Sequence, residues 1–284
     1  MRSPFGRSTA AAAAPREAEP QRAPRRWAIA GAALGGLAAL LAFAPASWLA
    51  QGVARASEGH LLITETRGSL WNGSGVLVLA GGAGARDASA LPGRLHWTVQ
   101  LQGLGLGLIA RQDCCINGEL RLALKPGLGR FEIAVANGAD WLARWPAGWL
   151  AGLGTPFNTL QPAGSLRLAA RDFRLERVEG RWRQFGQLEL DLLNLSSRVS
   201  TVAPLGSYRL SVAADPGGAG SSRLSLSTLD GALLLSGQGS IGGVGGKARF
   251  AGEATAAPGR EAALDNLLNI IGRRQGARSV ISIG

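Results

Sequence analysis

From about residue 60 onward, apolar side chains recur at every second position, and a period of two admits strands and little else. Leu120-Arg121-Leu122-Ala123-Leu124-Lys125, Leu166-Arg167-Leu168, Leu188-Glu189-Leu190-Asp191-Leu192, Tyr208-Arg209-Leu210-Ser211-Val212 and Leu224-Ser225-Leu226 all alternate. Successive strand side chains point to opposite faces, so each segment reads as a strand with one buried face. Turn signals separate them: Asn72-Gly73, Gly81-Gly82, Pro92-Gly93, Asn117-Gly118, Pro126-Gly127, Pro216-Gly217-Gly218 and Asp230-Gly231. The 42 glycines suit tight turns and weaken helices. The expected fold class is all-β, built from many short antiparallel strands. A weak echo between Gly68-Ser69-Leu70-Trp71-Asn72-Gly73 and Gly180-Arg181-Trp182-Arg183-Gln184-Phe185-Gly186 suggests two similar halves. These are residues 55–139 and 164–284, joined by a Trp/Pro-rich connector at 140–163.

The segment ahead of the strands obeys a different rule. From Trp27 to Ala54 no position is charged, and the cluster Arg22, Arg25, Arg26 precedes the run. A bilayer is crossed by roughly 20 apolar residues in a helix, so residues 25–54 are expected to form one transmembrane anchor. Trp27 and Trp48 mark its two ends, where indoles favour the membrane interface. Residues 1–26 carry Arg2, Arg7, Arg16, Arg22, Arg25 and Arg26 against Glu17 and Glu19. Basic flanks stay in the cytoplasm, which puts the N-terminus inside and residues 55–284 outside. Residues 1–24, rich in Ala, Pro and Arg without an apolar period, read as a disordered cytoplasmic tail. The competing reading is a cleaved signal peptide ending at Ala42-Phe43-Ala44. Pro45 directly after that site argues against cleavage.

Two stretches interrupt the alternation. Asp140 to Leu153 spaces Trp141, Trp145 and Trp149 four apart, a helical interval, with Asp140 as an N-cap and Pro146 as a break. The segment Arg260 to Ile271 puts Leu264, Leu267, Leu268 and Ile271 on one helical face. A short C-terminal helix near 260–272 follows, with Arg273 and Arg274 beyond it.

Composition narrows the function classes. The formal net charge is +11, with only Lys125 and Lys247 as lysines and no Lys/Arg-rich run outside the tail. Dispersed charge fits solubility and attraction to anionic lipid, and does not fit a nucleic-acid site. The two cysteines, Cys114 and Cys115, are adjacent, which is not a zinc spacing. They read as strand neighbours facing opposite ways, the alternatives being a vicinal disulfide or a bond to a partner. His60 and His96 have no ligand partner at metal spacing, and His96 falls on the solvent face of Leu95-His96-Trp97-Thr98-Val99. No nucleophile elbow or dinucleotide fingerprint occurs. No catalytic, cofactor or metal residues are expected, nor a small-molecule substrate. The residues singled out for contact with a partner protein are Trp71, Trp141, Trp145 and Trp149, because clustered indoles anchor interfaces; for the last three, a hinge between the halves and a membrane-interface contact are the alternatives. Trp71, in Gly68-x-x-Trp71-x-Gly73-x-Gly75, also reads as a plug for the core.

One resemblance runs through the chain. Pro204-Leu205-Gly206-Ser207-Tyr208-Arg209-Leu210 is followed by Thr228-Leu229-Asp230-Gly231-Ala232-Leu233-Leu234-Leu235-Ser236-Gly237, then Arg249-Phe250-Ala251-Gly252-Glu253-Ala254 and Leu267-Leu268-Asn269-Ile270-Ile271-Gly272-Arg273-Arg274. That order, with Gly68-Ser69-Leu70-Trp71-Asn72-Gly73 and a single anchor, resembles the type II secretion system protein N family over roughly residues 27–284. The long tail and the adjacent cysteines depart from the family pattern. The resemblance implies a single-pass inner-membrane protein of a Gram-negative bacterium with a periplasmic β domain. It implies an accessory component of that secretion system; physically, a small anchored β domain suits a scaffold role, its expected partners being other inner-membrane secretion subunits and membrane lipid. The competing class is an anchored lipid-binding or lipid-transfer protein, whose alternating leucines would line an open apolar trough.

Overall fold

The computed structural model describes residues 23–136, 140–215, 220–242 and 248–284. Most of the expected tail, residues 1–22, lies outside the described residues, as does the turn expected at Pro216-Gly217-Gly218. The chain divides into two compact units, Met1–Phe43 and Ala44–Gly284.

Within the first unit, α1 (Ala23–Ala42) carries Arg25 and Arg26 in its first turn and no charge after them. Trp27, Ile29, Leu34, Leu37 and Leu40 are all exposed on it. The second unit opens with α2 (Ala46–Ala56), preceded by Pro45. The expected 25–54 span is therefore not one helix. Proline has no N–H to give the preceding turn and restricts the residue before it, and the apolar run splits there. Its second part faces protein: Ala46 is buried, and Leu49, Ala50 and Val53 pack against Ile63 and Trp97. No helix among the described residues is long and apolar enough to cross a membrane.

Ser57 turns α2 into the sheet. Its N–H donates to Val53 O, and its hydroxyl oxygen accepts from the N–H of Leu61 at 3.0 Å. Then come β1 (Leu61–Gly68), β2 (Asn72–Ala80), β3 (Ala88–Ala90), β4 (Leu95–Gln102), β5 (Gly105–Arg111), β6 (Leu120–Gly127), β7 (Arg130–Val135) and β8 (Ala143–Pro146). A 3₁₀ turn (Ala147–Leu153) and the one-turn α3 (Phe157–Leu160) lead to two long strands, β9 (Ala163–Val178) and β10 (Arg181–Ser196). After them run β11 (Gly206–Ala214), β12 (Ser222–Gly231), β13 (Leu233–Ile241), β14 (Ala248–Ala256), α4 (Glu261–Ile271), β15 (Arg273–Gln275) and β16 (Arg278–Ile283).

All these strands join one antiparallel sheet of sixteen, ordered β1-β2-β4-β5-β6-β7-β9-β10-β11-β12-β13-β14-β16-β15, with β3 beside β2 and β8 beside β9. It is largely a meander, broken where β3 and β8 lie off the path and where β16 inserts between β14 and β15. Register follows the alternation: Leu168, Leu190, Leu210 and Leu226 lie side by side across β9 to β12. The same inner face collects Leu108 and Leu122 further back.

Two clusters bury this face. In the first, Trp97 is 2% exposed and its indole N–H donates to Leu70 O at 3.2 Å. One glycine makes room for it and another shapes the turn beside it. Gly68 holds φ +87° in the β1–β2 turn, and a Cβ on Gly73 would stand 2.5 Å from the Trp97 ring. The plug of this core is thus Trp97 on β4, with Trp71 half-buried in the adjoining turn. In the second cluster Leu205, Tyr208, Leu233 and Ala254 meet Leu264, Leu267 and Leu268 of α4. Three of the four residues expected on that helical face are buried and Ile271 packs beside them. The Tyr208 hydroxyl donates to Leu233 O at 3.0 Å, and burial pushes that phenol above its ordinary range. The Ser279 hydroxyl donates to Leu268 O, one of the carbonyls left open in the last turn of α4.

The outer face carries charge at the intervening positions. Asp191 on β10 lies opposite Arg167 on β9 and Arg209 on β11. Arg209 Nε and Nη2 donate to its two oxygens at 2.7 and 3.0 Å, and Arg167 Nη2 donates at 2.7 Å. These guanidinium groups cover a carboxylate only 4% exposed. The Arg209 hydrogen bond leads in holding Asp191 below the usual aspartate range. Glu189, with Arg171 and Arg209, and Glu176, with Arg130 and Arg174, repeat the device.

Two predictions follow from these contacts. Trp97→Ala removes a buried indole whose glycine-lined bed cannot collapse, and is expected to lose about 3–5 kcal/mol of unfolding free energy in urea titration. Asp191→Asn is expected to lose about 2 kcal/mol at neutral pH, where charged hydrogen bonds act in full. Because the folded Asp191 is more acidic than the unfolded group, its contribution is complete above about pH 4 and disappears as pH falls through the folded value. The gap between wild type and D191N should accordingly close on acidification. An equal gap at pH 7 and pH 3 would contradict the carboxylate's role.

Candidate functional site

The segment expected to be a Trp-bearing helix is a strand followed by a 3₁₀ turn. Ala143–Pro146 pairs with Leu168–Ser165, and Arg144 N–H donates to Cys115 O at 2.7 Å. Strand pairing and Pro146 together remove the backbone donors a helix would need. Trp145 therefore stands on β8 and Trp149 in the turn after it, with ring centroids 5.8 Å apart and planes tilted by 35°. Trp149 Nε1 donates to Ser89 O at 2.9 Å, which ties this segment to β3. Trp141 precedes β8, and its carbonyl accepts from Asn117 Nδ2 at 3.1 Å. All four singled-out indoles are half-buried. The structure brings Trp145 and Trp149 together and leaves Trp71 at the other end of the strands, in the β1–β2 turn.

Trp145 also lines an apolar cavity of about 230 Å³. Its walls come from α2 (Leu49, Val53) and from strands β1, β2, β4, β5, β6, β8 and β9, so this part of the sheet curls round on itself with α2 along one side. Gln112 is the one polar residue on the wall, and its side-chain amide donates to Pro92 O at 3.3 Å. A space of about 150 Å³ holds a benzene. This cavity takes a short apolar group and falls well short of the two acyl chains of a phospholipid.

The cysteines and histidines are dispersed. Cys114 and Cys115 sit in the turn between β5 and β6, not in a strand, and are joined to each other by a disulfide. The strand reading of the pair is thereby corrected: the chain folds back here, and Cys115 N–H donates to Gln112 O at 3.1 Å. His60 Nδ1 lies 3.2 Å from Ala80 O, and His96 is exposed on β4 beside the buried Trp97. No three His, Cys, Asp or Glu residues among the described residues are placed to hold a metal ion. Arg111 and Arg121 clasp Glu119 and hold its carboxyl below the usual glutamate range.

The elements able to receive another protein are at the edges of the sheet. One edge is β1, eight residues long, with a bulge between Thr64 and Arg67. The opposite edge is β15, three residues long and carrying Arg273 and Arg274. Short, charged edge strands resist pairing with another chain, whereas a longer one offers a ladder of backbone groups.

Sequence comparison adds the family. No curated protein and no solved structure matches the chain. The family model for type II secretion system (T2SS), protein N, matches residues 60–281, which is the sheet from just before β1 into β16 together with α4. The chain belongs to the type II secretion system protein N family and takes part in type II secretion.

Proposed function

We propose that this protein is an inner-membrane accessory subunit of the type II secretion machine, with its β unit in the periplasm as a docking scaffold. The observation that carries the reading is the family match over nearly all of the sheet, joined to a helix whose apolar side chains are all exposed. A helix apolar on every side is stable where lipid or protein surrounds it. The uncharged part of α1, Trp27–Ala42, is a few residues shorter than an ordinary span. Phe43 extends it, and the long stems of Arg25 and Arg26 reach outward from its start. The basic residues of the tail keep that end in the cytoplasm.

The scaffold role rests on the edges and the indoles. Strand β1 presents the longer free ladder, suited to a strand from another subunit. The Trp145–Trp149 pair and Trp71 offer aromatic surface at the two ends of the same strands. No step of covalent chemistry is assigned to the protein. The lipid-trough alternative draws on the apolar cavity, but at about 230 Å³ that cavity is too small for the two acyl chains of a phospholipid.

The expected outcomes are these. The full-length protein stays in the membrane pellet after alkaline carbonate washing, and Leu34→Arg with Leu37→Arg releases it. A photo-reactive residue at Thr64 forms adducts with inner-membrane secretion subunits, and one at Thr201 does not. Extraction of stoichiometric phospholipid from the purified protein, with no adducts from Thr64, would overturn the scaffold reading in favour of the trough.

A further inference from the structure

The turns at one end of the first strands form a rim with an unusual composition. Leu104, in the β4–β5 turn, is 98% exposed, and Leu128, in the β6–β7 turn, is 107% exposed. Leu101, on the inward-facing register of β4 with Trp97, is also exposed because it extends past the core. Register places these turns at the same end of the sheet: Leu106 pairs Leu124, and Gly127 pairs Arg130, which pairs Val178. The β1–β2 turn belongs to that end too, since Asn72 pairs Thr98 and β4 runs on past it to Gln102. Cations gather there. Arg67, Lys125, Arg130, Arg177 and Arg181 stand against Glu132, Glu176 and Glu179, and Glu132 and Glu176 are already taken by Lys125, Arg130 and Arg174.

The same rim receives the chain from α1. Leu70 N–H donates to Ala44 O at 2.8 Å, and Pro45 bridges Ser69. The first residues of the β unit are thus fastened to the β1–β2 turn, and only Phe43 lies between Ala44 and the last residue of α1.

We propose that this rim is a membrane-docking edge: Leu104 and Leu128 enter the interface of an anionic phospholipid bilayer while the neighbouring guanidinium and ammonium groups bind lipid phosphates. Apolar side chains buried at the headgroup boundary and basic groups on anionic lipid are the two terms of peripheral membrane binding. Leucines at turn tips with no neighbours have no role in holding the sheet together, and a polar residue would serve the turn equally well. The bilayer is the one that receives α1, so the inference rests on the anchor reading above. It adds that the sheet stands on the membrane by a defined edge, with the turn that holds Cys114 and the β10–β11 loop pointing away.

The test uses the full chain reconstituted into vesicles of phosphatidylethanolamine and phosphatidylglycerol. Single cysteines replace Leu34, Leu104, Leu128 or Thr201 in a Cys114→Ser, Cys115→Ser background and carry nitroxide labels. Collision with dissolved oxygen and with a water-soluble nickel chelate is read for each. The expected result is lipid-like accessibility at 34, 104 and 128, several-fold less nickel collision than at 201, and aqueous accessibility at 201. Lipid-like 34 with aqueous 104 and 128 overturns the docking edge and leaves the anchor standing. Aqueous 34 with lipid-like 104 and 128 overturns the anchor and leaves the edge on lipid. If the cysteine-free background fails to fold, hydrogen exchange of the native chain decides the same point. Amides of residues 102–105 and 127–130 slow on vesicles relative to detergent if the edge docks, and exchange equally in both if it does not. Equal slowing on vesicles lacking the anionic lipid overturns the phosphate contacts.

Discussion

A sheet of sixteen antiparallel strands with one apolar face has to hide that face, and every other feature of this unit answers to that requirement. The meander cannot pair its ends into a closed cylinder, because β1 and β15 remain as edges. It therefore curls near its beginning and takes a helix at each end. α2 lies over Ile63 and Trp97, and α4 lies over Tyr208, Leu233 and Ala254. Burial of apolar area drives this packing, and Trp97 shows how it is fitted: the ring rests on Gly73, where a Cβ would collide with it.

The opposite face solves a different problem. Alternation puts Glu176, Glu189 and Asp191 next to arginines on neighbouring strands, and opposite charges paired across strands are favourable. The guanidinium stems cover the carboxylates so completely that the acids count as buried while the arginines stay in water. This lattice makes the outer face of β9 to β11 a specified surface and fixes register, since slipping one strand by a residue would bring leucines opposite charges.

Much of this was legible in the residues. The alternating runs at 120–125, 188–192 and 208–212 are β6, β10 and β11, and the leucine spacing at 264–268 is α4. Three readings failed for physical reasons. The uncharged run to Ala54 does not distinguish apolar residues facing lipid from apolar residues facing a sheet. Only the polar intrusions at Gln51 and Arg55 and the position of Pro45 hint that α2 is amphipathic. The four-residue spacing of Trp141, Trp145 and Trp149 imitates a helix, yet ladder bonds to β9 decide the conformation there. Adjacent cysteines gave no sign of lying in a turn. The plug is Trp97 rather than Trp71, and its place between Leu95 and Val99 on the inner register of β4 is the sign of it in the sequence. The docking edge was invisible, because Leu104 and Leu128 converge only through strand register.

The account stands on one topological claim, that the β unit lies outside the inner membrane while the tail lies inside. Trypsin added to intact spheroplasts, with antibodies against the N-terminal tail and the C-terminal strands, measures this directly. The account predicts that the C-terminal epitope is lost, that the tail epitope survives on a small membrane-bound fragment, and that both are lost when the cells are lysed. Survival of the C-terminal epitope in intact spheroplasts, with its loss after lysis, would contradict it.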